Sequence, residues 1–301
     1  MNAWFVVNPH AGSVRSRDLT TAIRRQLSGR EATISGELPE VGSASRLVVA
    51  VGGDGTINRV INGCDPARLR LGILPRGSAN DLGAELGIPS EFRKAWSVLE
   101  SGATEAIDLL SVNGSRFATC GGFGLASAVA QRANLWKAQP GWRGPATRRL
   151  GPLVYVLAAL RELERPLETA TLATIRAGRL TRRVRLGAAL VSNQPRFGRW
   201  FVASPEASNR DGLIHFRGIA ATASRARLLR LFAQMLRGGA CEGPSTFEMR
   251  VRSLTIETET EVSFFGDGER LAHGRRFRIE VLPRALRVVT ARRAAPLAEA
   301  A

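Results

Sequence analysis

Three glycines around a single aspartate are the part of this sequence best suited to phosphate chemistry. The apolar run 47–51 is followed directly by Gly52, Gly53, Asp54, Gly55 and Thr56. Glycine has no side chain, so phosphate oxygens can approach its backbone N–H group closely. A helix predicted over 57–62 would point its positively polarised N-terminus at the same place. The pattern predicts a phosphate-binding loop with one carboxylate, although a turn of this kind can also be a plain tight connection.

A second polar loop follows the next apolar run, 71–75. Its residues are Arg76, Gly77, Ser78, Ala79 and Asn80. A short helix is predicted over 81–86, ended by glycine and proline. Adjacent strand–loop–helix units of a parallel sheet place their loops at the carboxyl edge, where such sheets bind ligands. Ser78 and Asn80 therefore have two roles open to them, contact with a nucleotide and capping of the short helix.

The composition is that of a folded protein. The chain has 301 residues, enough for two hydrophobic cores, and 44% of them are hydrophobic, which excludes global disorder. The longest apolar run, 150–160, is too short to span a bilayer and contains Pro152. The three cysteines lack Cys-x-x-Cys spacing, and the first residues read as a strand rather than a signal peptide. We therefore expect a cytoplasmic protein with reduced thiols.

The net charge of +17 is carried mostly by arginine. It makes nucleic acid, an anionic membrane surface and phosphorylated ligands the candidate partners. A single tyrosine and the lack of zinc-finger spacing argue against nucleic acid. An arginine-rich genome would raise the charge in the same way, so charge alone does not decide.

The first part of the chain alternates strands with helices, whereas the part after about residue 104 is dominated by strands. Helices predicted over 17–27 and near 92–99 are typical of a doubly wound α/β domain. Later segments alternate apolar and charged residues with a period of two, namely 181–190, 247–252, 261–265 and 277–282. They predict an antiparallel β-sandwich. The residues after 292 are rich in alanine and proline, and we expect them to be disordered.

Two helical insertions are predicted within the sandwich, at 151–163 and 224–236. The second is amphipathic, so it could pack on its own core or contact lipid, and both interpretations are open. A Pro- and Gly-rich segment before the first insertion contains Trp136, Trp142, Arg143, Arg148 and Arg149. Tryptophans beside arginines suit an anionic bilayer surface, so we expect peripheral membrane contact there.

In chain order, the motifs resemble those of the bacterial diacylglycerol kinase-like lipid kinases. This family is related to sphingosine kinases and, more distantly, to NAD kinases and phosphofructokinases. The matching stretches are 8–12 (Asn-Pro-His-Ala-Gly), 52–63, 74–89, 211–213 (Asp-Gly-Leu) and 267–269 (Asp-Gly-Glu). Each motif alone is weak, but five in the same order across both halves of the chain are specific.

The resemblance implies a doubly wound α/β nucleotide-binding domain followed by an antiparallel β-sandwich domain that binds lipid. The first domain would comprise residues 1–105, and the second 106–283. A last strand, at about 284–292, would return to the first domain, and 293–301 would form the tail. ATP would bind in the cleft between the two domains.

The resemblance also implies a site that uses ATP and Mg²⁺. The residues that would hold the nucleotide are Asn8, Pro9, Gly12, Gly52, Gly53, Gly55, Thr56, Asn58, Gly77, Ser78 and Asn80. Glu269 would be the general base that takes the proton from a lipid hydroxyl, and Asp267 would assist it or bind Mg²⁺. Asp54 would coordinate Mg²⁺ or orient the hydroxyl. On spacing alone, 267–269 would be an ordinary acidic hairpin turn.

A structural Mg²⁺ site is implied at Asp211 and Leu213, with Ser208 at a position where the family often has an acid. Because Mg²⁺ prefers carboxylate oxygens, Ser208 weakens this site. Two further departures from the family pattern are Arg59, where the glycine-rich signature usually has glutamate, and Ala126, where a later motif has aspartate. These changes bear on substrate choice and on catalytic competence.

We therefore expect an ATP-dependent lipid kinase of phospholipid metabolism. Its acceptor would be diacylglycerol, a sphingoid base or a phosphatidylglycerol-like lipid presented at a membrane surface. One alternative is a catalytically weak regulator that binds nucleotide and lipid, which Arg59, Ala126 and Ser208 favour. Another is a kinase of a soluble substrate such as NAD. No nucleic-acid partner is expected, and the sequence leaves the acceptor lipid and the oligomeric state open.

Overall fold

The chain folds into two compact units. The structure is a computed structural model that describes residues 3–8, 16–40, 47–139, 143–150, 153–162, 170–198, 201–221, 224–239 and 243–291. The first unit comprises residues up to Ile107 together with those from Arg284 onward, and the second comprises Asp108–Pro283.

The first unit is a parallel sheet with helices between its strands. Its elements are β1 (Ala3–Val7), α1 (Ser16–Leu27), β2 (Ala32–Ser35), β3 (Leu47–Gly52), α2 (Asp54–Gly63), β4 (Arg70–Pro75), α3 (Asp81–Glu85) and α4 (Phe92–Ser101). The strand order is β2–β1–β3–β4. Every residue of β3 is buried, as the uninterrupted apolar run requires of a central strand covered on both faces.

The helices of this unit each bury one apolar stripe. In α1, Leu19, Ile23 and Leu27 recur every four residues and are all buried. In α4, Trp96 is buried and stacks on Phe5 of β1, with ring centroids 5.7 Å apart. This packing fixes the sheet edge at which the two polar loops emerge.

The second unit is built mainly from antiparallel strands. Its elements are β5 (Thr104–Val112), β6 (Ser115–Phe117), β7 (Cys120–Gly124), α5 (Leu125–Ala138), α6 (Arg143–Arg149), α7 (Leu153–Glu162), β8 (Thr171–Ala177), β9 (Leu180–Ser192), β10 (Arg196–Phe197), β11 (Phe201–Val202), β12 (Ile214–Ala220), α8 (Arg225–Leu236), β13 (Thr246–Val251), β14 (Ser253–Gly266) and β15 (Glu269–Val289). The first residues of β5 and the last of β15 belong to the first unit.

Four strands of the second unit, β9, β8, β14 and β7, pair in a closed ring. β9 pairs with β8 along its first part and with β7 and β12 along its second. β14 pairs with β8 and β7 as well, and with β15. The alternating inward side chains of these strands form one core, which includes Phe117, Phe123, Phe216, Phe264 and Phe277.

Strand β15 serves both units, as the family resemblance predicts for the last strand. Up to Glu280 it pairs antiparallel with β14. Arg284 then has a positive φ of 51°, which marks a local break in the extended backbone. Beyond this break, Arg287 and Val288 pair in parallel with Arg70 and Leu71 of β4.

Some elements differ from the sequence predictions. The segment before the first predicted insertion contains two helices, α5 and α6, that the sequence analysis did not predict. Helix α5 is rich in alanine and has little contrast between its faces, so it lacks the apolar stripe that reveals a surface helix. β14 and β15 are also longer than the short segments predicted for them. The predicted tail, 293–301, lies outside the described residues.

No helix in the described part of the chain is both long enough and apolar enough to cross a membrane.

Candidate functional site

The glycine-rich loop of the first unit lies where strand β3 ends and helix α2 begins. Gly52 is the last residue of β3, and Asp54 is the first of α2. The carbonyl of Gly53 accepts hydrogen bonds from the N–H groups of Thr56 at 2.9 Å and Ile57 at 3.2 Å. Among the described residues, no side chain caps this helix end. The N-terminus of a ten-residue helix therefore faces the loop, which is the arrangement that binds phosphate elsewhere.

The two polar loops of the first unit contact each other through glycine backbones. A Cβ atom added at Gly53 would lie 2.8 Å from the Cα of Gly77, and one added at Gly77 would overlap Gly53 in turn. The N–H of Arg76 donates to the carbonyl of Gly52 at 2.8 Å. Neither glycine can therefore carry a side chain without moving a loop. The pair of loops acts as one structural feature at the carboxyl edge of the sheet.

Asn80 fixes the shape of the second loop. It has a left-handed backbone, with φ 54°. Its Oδ1 accepts from the N–H of Gly77 at 2.7 Å, and its Nδ2 donates to the carbonyl of Gly77 at 2.8 Å. Within the described residues, the side chain of Asn80 makes no capping hydrogen bond to α3. This side chain therefore does not perform the capping role that the sequence left open. Ser78 is half-buried in the same loop.

Asp54 lies between the starts of two helices. It is in the first turn of α2, and its Oδ1 accepts from the N–H of Leu82, in the first turn of α3, at 3.4 Å. Both helix starts favour negative charge. The only acid of the glycine-rich loop is thus held in position next to it.

Three further residues predicted to contact the nucleotide, Asn8, Thr56 and Asn58, lie at the end of β1 and on α2. Asn8 donates from Nδ2 to Oγ1 of Thr56 at 3.3 Å, which ties the end of β1 to α2. Thr56 and Asn58 are both buried, and Oδ1 of Asn58 accepts from Nδ2 of Asn62 at 3.1 Å. Their side chains thus support α2 from within. Pro9 and Gly12 lie outside the described residues.

Two arginines near the loops have defined neighbours. The guanidinium of Arg59 donates to the carbonyl of Gly36, just after β2. The cation that replaces the family's glutamate is therefore engaged with the backbone. The guanidinium of Arg76 lies over the ring of Phe92, 5.4 Å from its centroid, and burial lowers the pKa of Arg76. The sequence analysis did not single out Arg76, although it begins the second loop.

The acidic turn of the second unit joins β14 to β15. Asp267 and Gly268 both have positive φ, 53° and 80°. The buried carboxylate of Asp267 accepts from the N–H of Ala118 at 3.0 Å, from the N–H of Thr119 at 2.9 Å and from Oγ1 of Thr119 at 2.6 Å. Asp267 therefore anchors the turn to the segment that precedes β7.

Glu269 follows in the first position of β15 and is reached by solvent. Partial burial of its carboxyl and, second, the negative charge of Asp267 raise the pKa of Glu269 above its ordinary value. Both effects disfavour the charged form. A carboxylate with a raised pKa is a better proton acceptor near neutral pH than an ordinary glutamate.

A buried asparagine supports the segment that binds Asp267. Asn193 donates from Nδ2 to the carbonyl of Ala118 at 2.8 Å and to the carbonyl of Asp108 at 2.9 Å. Its own N–H donates to the carbonyl of Thr119 at 2.8 Å. The sequence analysis missed Thr119 and Asn193 because each meets its partner only through the fold. No local motif marks either residue.

The carboxylate of Asp211, at the predicted structural metal site, forms hydrogen bonds within the protein. Oδ2 of Asp211 lies 2.8 Å from Nε2 of His215, and Oδ1 accepts from the N–H of Leu213 at 2.9 Å. The N–H of Asp211 is 3.5 Å from the carbonyl of Ser208. Among the described residues, no group of three or more His, Cys, Asp or Glu side chains is placed to hold a metal. The site that the resemblance implies uses one side chain and backbone carbonyls, and it stays a prediction.

Two family models match the chain and together cover most of it. The diacylglycerol kinase catalytic domain matches residues 2–112. The YegS C-terminal NAD kinase beta sandwich-like domain matches residues 124–290, more than half of the chain. The chain belongs to the diacylglycerol kinase-like family of lipid kinases. The family resemblance and the two-domain fold class predicted from the sequence are thereby confirmed.

Individual relatives agree with this assignment. A protein named “Probable lipid kinase YegS-like” from Yersinia pestis is 32% identical over 253 residues, which cover 81% of this chain and 78% of that protein. A protein named “Diacylglycerol kinase” from Mycobacterium tuberculosis is 29% identical over 258 residues, which cover 84% of this chain and 79% of that one.

Solved structures share the fold. A crystal structure of a diacylglycerol kinase from Bacillus anthracis superposes with a TM-score of 0.69 at 19% identity, covering 96% of each chain. An NAD kinase from Archaeoglobus fulgidus, solved in complex with ATP, gives a TM-score of 0.50 at 13% identity and covers 96% of this chain and 94% of that one. The lower score means that this NAD kinase shares the fold less closely.

Proposed function

We propose that this protein is an ATP-dependent kinase that transfers the γ-phosphoryl group of ATP to a hydroxyl of diacylglycerol or a related lipid. The observation that carries the proposal is the contact between Gly53 and Gly77, which leaves two bare loops at the N-terminus of α2. Phosphoryl transfer relies mainly on positioning and on electrostatic stabilisation of phosphate charge, and such loops supply both.

The first unit would hold the nucleotide as its Mg²⁺ complex. Backbone N–H groups of the glycine-rich loop would contact the phosphates, with Asn80 keeping the second loop in shape. Asp54, held between two helix starts, would orient the metal-bound phosphates. The ATP found with the Archaeoglobus NAD kinase supports a nucleotide on this fold.

Glu269 would act as the general base. It would take the proton of the lipid hydroxyl while the hydroxyl oxygen forms a bond to the γ-phosphorus. The bond from that phosphorus to the bridging oxygen would break, and its electron pair would leave with ADP. The raised pKa of Glu269 supports this role. Asp267 would act as a positioning residue, since its carboxylate already binds the backbone at 118–119.

A lipid acceptor would be presented at a membrane surface. ATP is supplied in the cytoplasm, so a cytoplasmic protein in peripheral contact with the bilayer would meet both substrates. The names of the relatives, a diacylglycerol kinase and a probable lipid kinase, support a lipid rather than a nucleic acid as the partner.

A catalytically weak relative that binds nucleotide and lipid is the second candidate. Ala126 stands where the family motif has aspartate, which removes one acid that an active member would have. The substitution at Arg59 is a weaker argument for this candidate, because the guanidinium of Arg59 contacts a backbone carbonyl.

The test is a transfer assay on the full chain with γ-labelled Mg²⁺-ATP, a mixed panel of hydroxyl lipids in micelles, and NAD in a parallel reaction. We expect a labelled lipid, and a loss of about 10²- to 10⁴-fold in rate for Glu269→Gln. Glu280→Gln is the matched control, because Glu280 lies on the same strand and pairs with Arg278 at the surface. It should leave the rate unchanged.

Each other outcome identifies an alternative. Full activity of Glu269→Gln would remove this residue from its role. Labelling of NAD and of no lipid would favour the soluble substrate. Calorimetric binding of ATP without any transfer would favour the regulator, and failure to bind ATP at all would overturn the proposal.

A further inference from the structure

Helix α7 has two apolar faces, and the protein core covers only one of them. Val154 and Ala158 are buried and cluster with Ala133 of α5. On another face, Leu153, Leu157 and Leu160 recur at the i, i+4, i+7 spacing of a single stripe. These leucines are 55%, 46% and 45% exposed, and Leu135 on α5 is 68% exposed. Isolated exposed leucines are ordinary, whereas a row of them along one helix marks a contact surface.

The segment of sequence that contains this stripe is rich in positive charge. From residue 125 to residue 161 the sequence contains six cations and no Asp or Glu, the cations being Arg132, Lys137, Arg143, Arg148, Arg149 and Arg161. The next acid, Glu162, forms an ion pair with Arg132. The leucine stripe therefore belongs to a segment with a strong excess of positive charge.

We propose that the leucine stripe of α7 docks on an anionic phospholipid bilayer. A helix with leucines on one side and arginines nearby lies in the plane of a membrane interface, where the leucines enter the acyl boundary and the cations contact lipid phosphates. The proposed partner is thus a lipid surface of negative charge. It would be bound by burial of the leucines and by contacts between the cations and lipid phosphates.

A second copy of this chain fits the stripe less well. In a two-fold dimer the same patch faces itself, so the excess positive charge of one copy would meet that of the other. A stable protein interface also needs about 800 Å² from each partner, more than a single row of leucines offers. An anionic bilayer attracts the positive charge instead of repelling it, and a single row of leucines is enough to enter it.

The surface differs from the one expected from sequence. Trp136 is partly buried and packs against the cluster of Ala133, Val154 and Ala158, so it supports the helix pair from within. Trp142 lies outside the described residues. Helix α8 buries Leu228, Leu231 and Met235 in a core cluster. Its two exposed leucines, Leu229 and Leu236, lie seven residues apart with no exposed leucine between them, so they form no continuous row. The leucines of α7 are therefore the better candidates for entering a membrane.

The test is flotation of the full chain with extruded vesicles, in the absence of nucleotide. One set of vesicles contains phosphatidylglycerol and phosphatidylcholine, and the other phosphatidylcholine alone. We expect binding to the anionic set only, weakened by high salt. Replacement of two stripe residues, Leu153→Ser with Leu157→Ser, should lower the partition coefficient at least about tenfold.

Leu180→Ser is the matched control, because Leu180 is 52% exposed at the start of β9, on a different element. It should bind as the parent does. Circular dichroism checks folding, and Leu135→Ser on α5 serves as a second variant if the double variant unfolds. Equal binding by the double variant and the parent, equal loss in the control, or no binding to anionic vesicles would overturn the proposal.

A concentration-dependent dimer that the double variant abolishes, seen by analytical ultracentrifugation without vesicle binding, would assign the stripe to a second copy and also overturn it. Because the readout needs neither nucleotide nor transfer, its failure would leave the kinase proposal standing.

Discussion

The two acids of the turn at 267–269 have different surroundings although one residue separates them. Asp267 is buried and accepts three hydrogen bonds from the segment at 118–119, whereas Glu269 is reached by solvent and has a raised pKa. A carboxylate that is saturated with donors is poorly placed to take a proton, and one that is partly desolvated is well placed. The geometry thus separates a positioning acid from a candidate base.

The hydroxyl of Thr119 donates the shortest of the hydrogen bonds described above for Asp267, at 2.6 Å. Thr119→Val removes this donor and keeps the shape, so we expect the free energy of unfolding to fall by about 1.5–3 kcal/mol. The kcat for lipid phosphorylation should fall as the turn loosens, with the KM for ATP unchanged. Thr119→Ser restores a hydroxyl and should recover kcat. Equal kcat values for the valine and serine variants would show that Thr119 has no positioning role.

The pH dependence of kcat tests the state of Glu269. The base must be deprotonated, so kcat should rise as pH increases through the pKa of Glu269, at a pH above that of an ordinary glutamate, about 4.3. Asp267→Asn removes the smaller of the two causes of the raised pKa, so the rising limb should move to lower pH and remain above the ordinary value. Glu280→Gln should leave it in place. A limb that stays fixed or moves upward in Asp267→Asn would contradict this account.

The two polar loops of the first unit are the glycine turns that follow β3 and β4. A Cβ at Gly53 would lie 2.8 Å from the Cα of Gly77, closer than packed atoms tolerate. We expect Gly53→Ala to lower the free energy of unfolding by about 1–3 kcal/mol and to weaken ATP binding in calorimetry. The control is Gly83→Ala in α3, where the nearest atom is 3.4 Å away and the helix tolerates alanine. Equal ATP affinity in the two variants would mean that the contact between the loops does not shape the site.

These loops were predictable from sequence because each follows a short apolar run and consists of glycines and polar residues at a few consecutive positions. The anchor of the acidic turn was not, because Thr119 and Asp267 lie 148 residues apart and neither belongs to a local pattern. Helix α5 was missed for a different reason. Its alanines give helical propensity without the contrast between faces that periodicity detects.

The direction of side chains also escaped the sequence analysis. Arg59 stands where the glycine-rich signature usually has glutamate, and the sequence does not show what its guanidinium contacts. In the structure it donates to the carbonyl of Gly36, a partner 23 residues away. The leucine stripe of α7 was likewise hidden, because only the packing of Val154 and Ala158 shows which apolar face is already covered.

At the scale of the whole molecule, the first unit depends on residues from the far end of the chain. Leu286, Val288 and Val289 of β15 are buried, and Arg287 and Val288 pair with β4. The N–H of Thr290 donates to the carbonyl of Ala103 at 3.1 Å, and its hydroxyl donates to the carbonyl of Leu86 at 3.0 Å. The two polar loops emerge from a sheet that the chain completes only with its last described residues.

A chain that ends at Pro283 should therefore lose nucleotide binding. Removing three buried aliphatic side chains, each contributing about 1.5–3 kcal/mol, takes away a large part of the roughly 5–15 kcal/mol by which a typical domain is stable, and exposes the edge of β4. We expect rapid proteolysis between residues 3 and 107 and no heat of ATP binding. The matched control ends at residue 292, keeps all of β15 and should behave as the full chain does. If the chain that ends at 283 still bound ATP and resisted protease, the returning strand would be dispensable, and the first unit would fold from its own contiguous sequence.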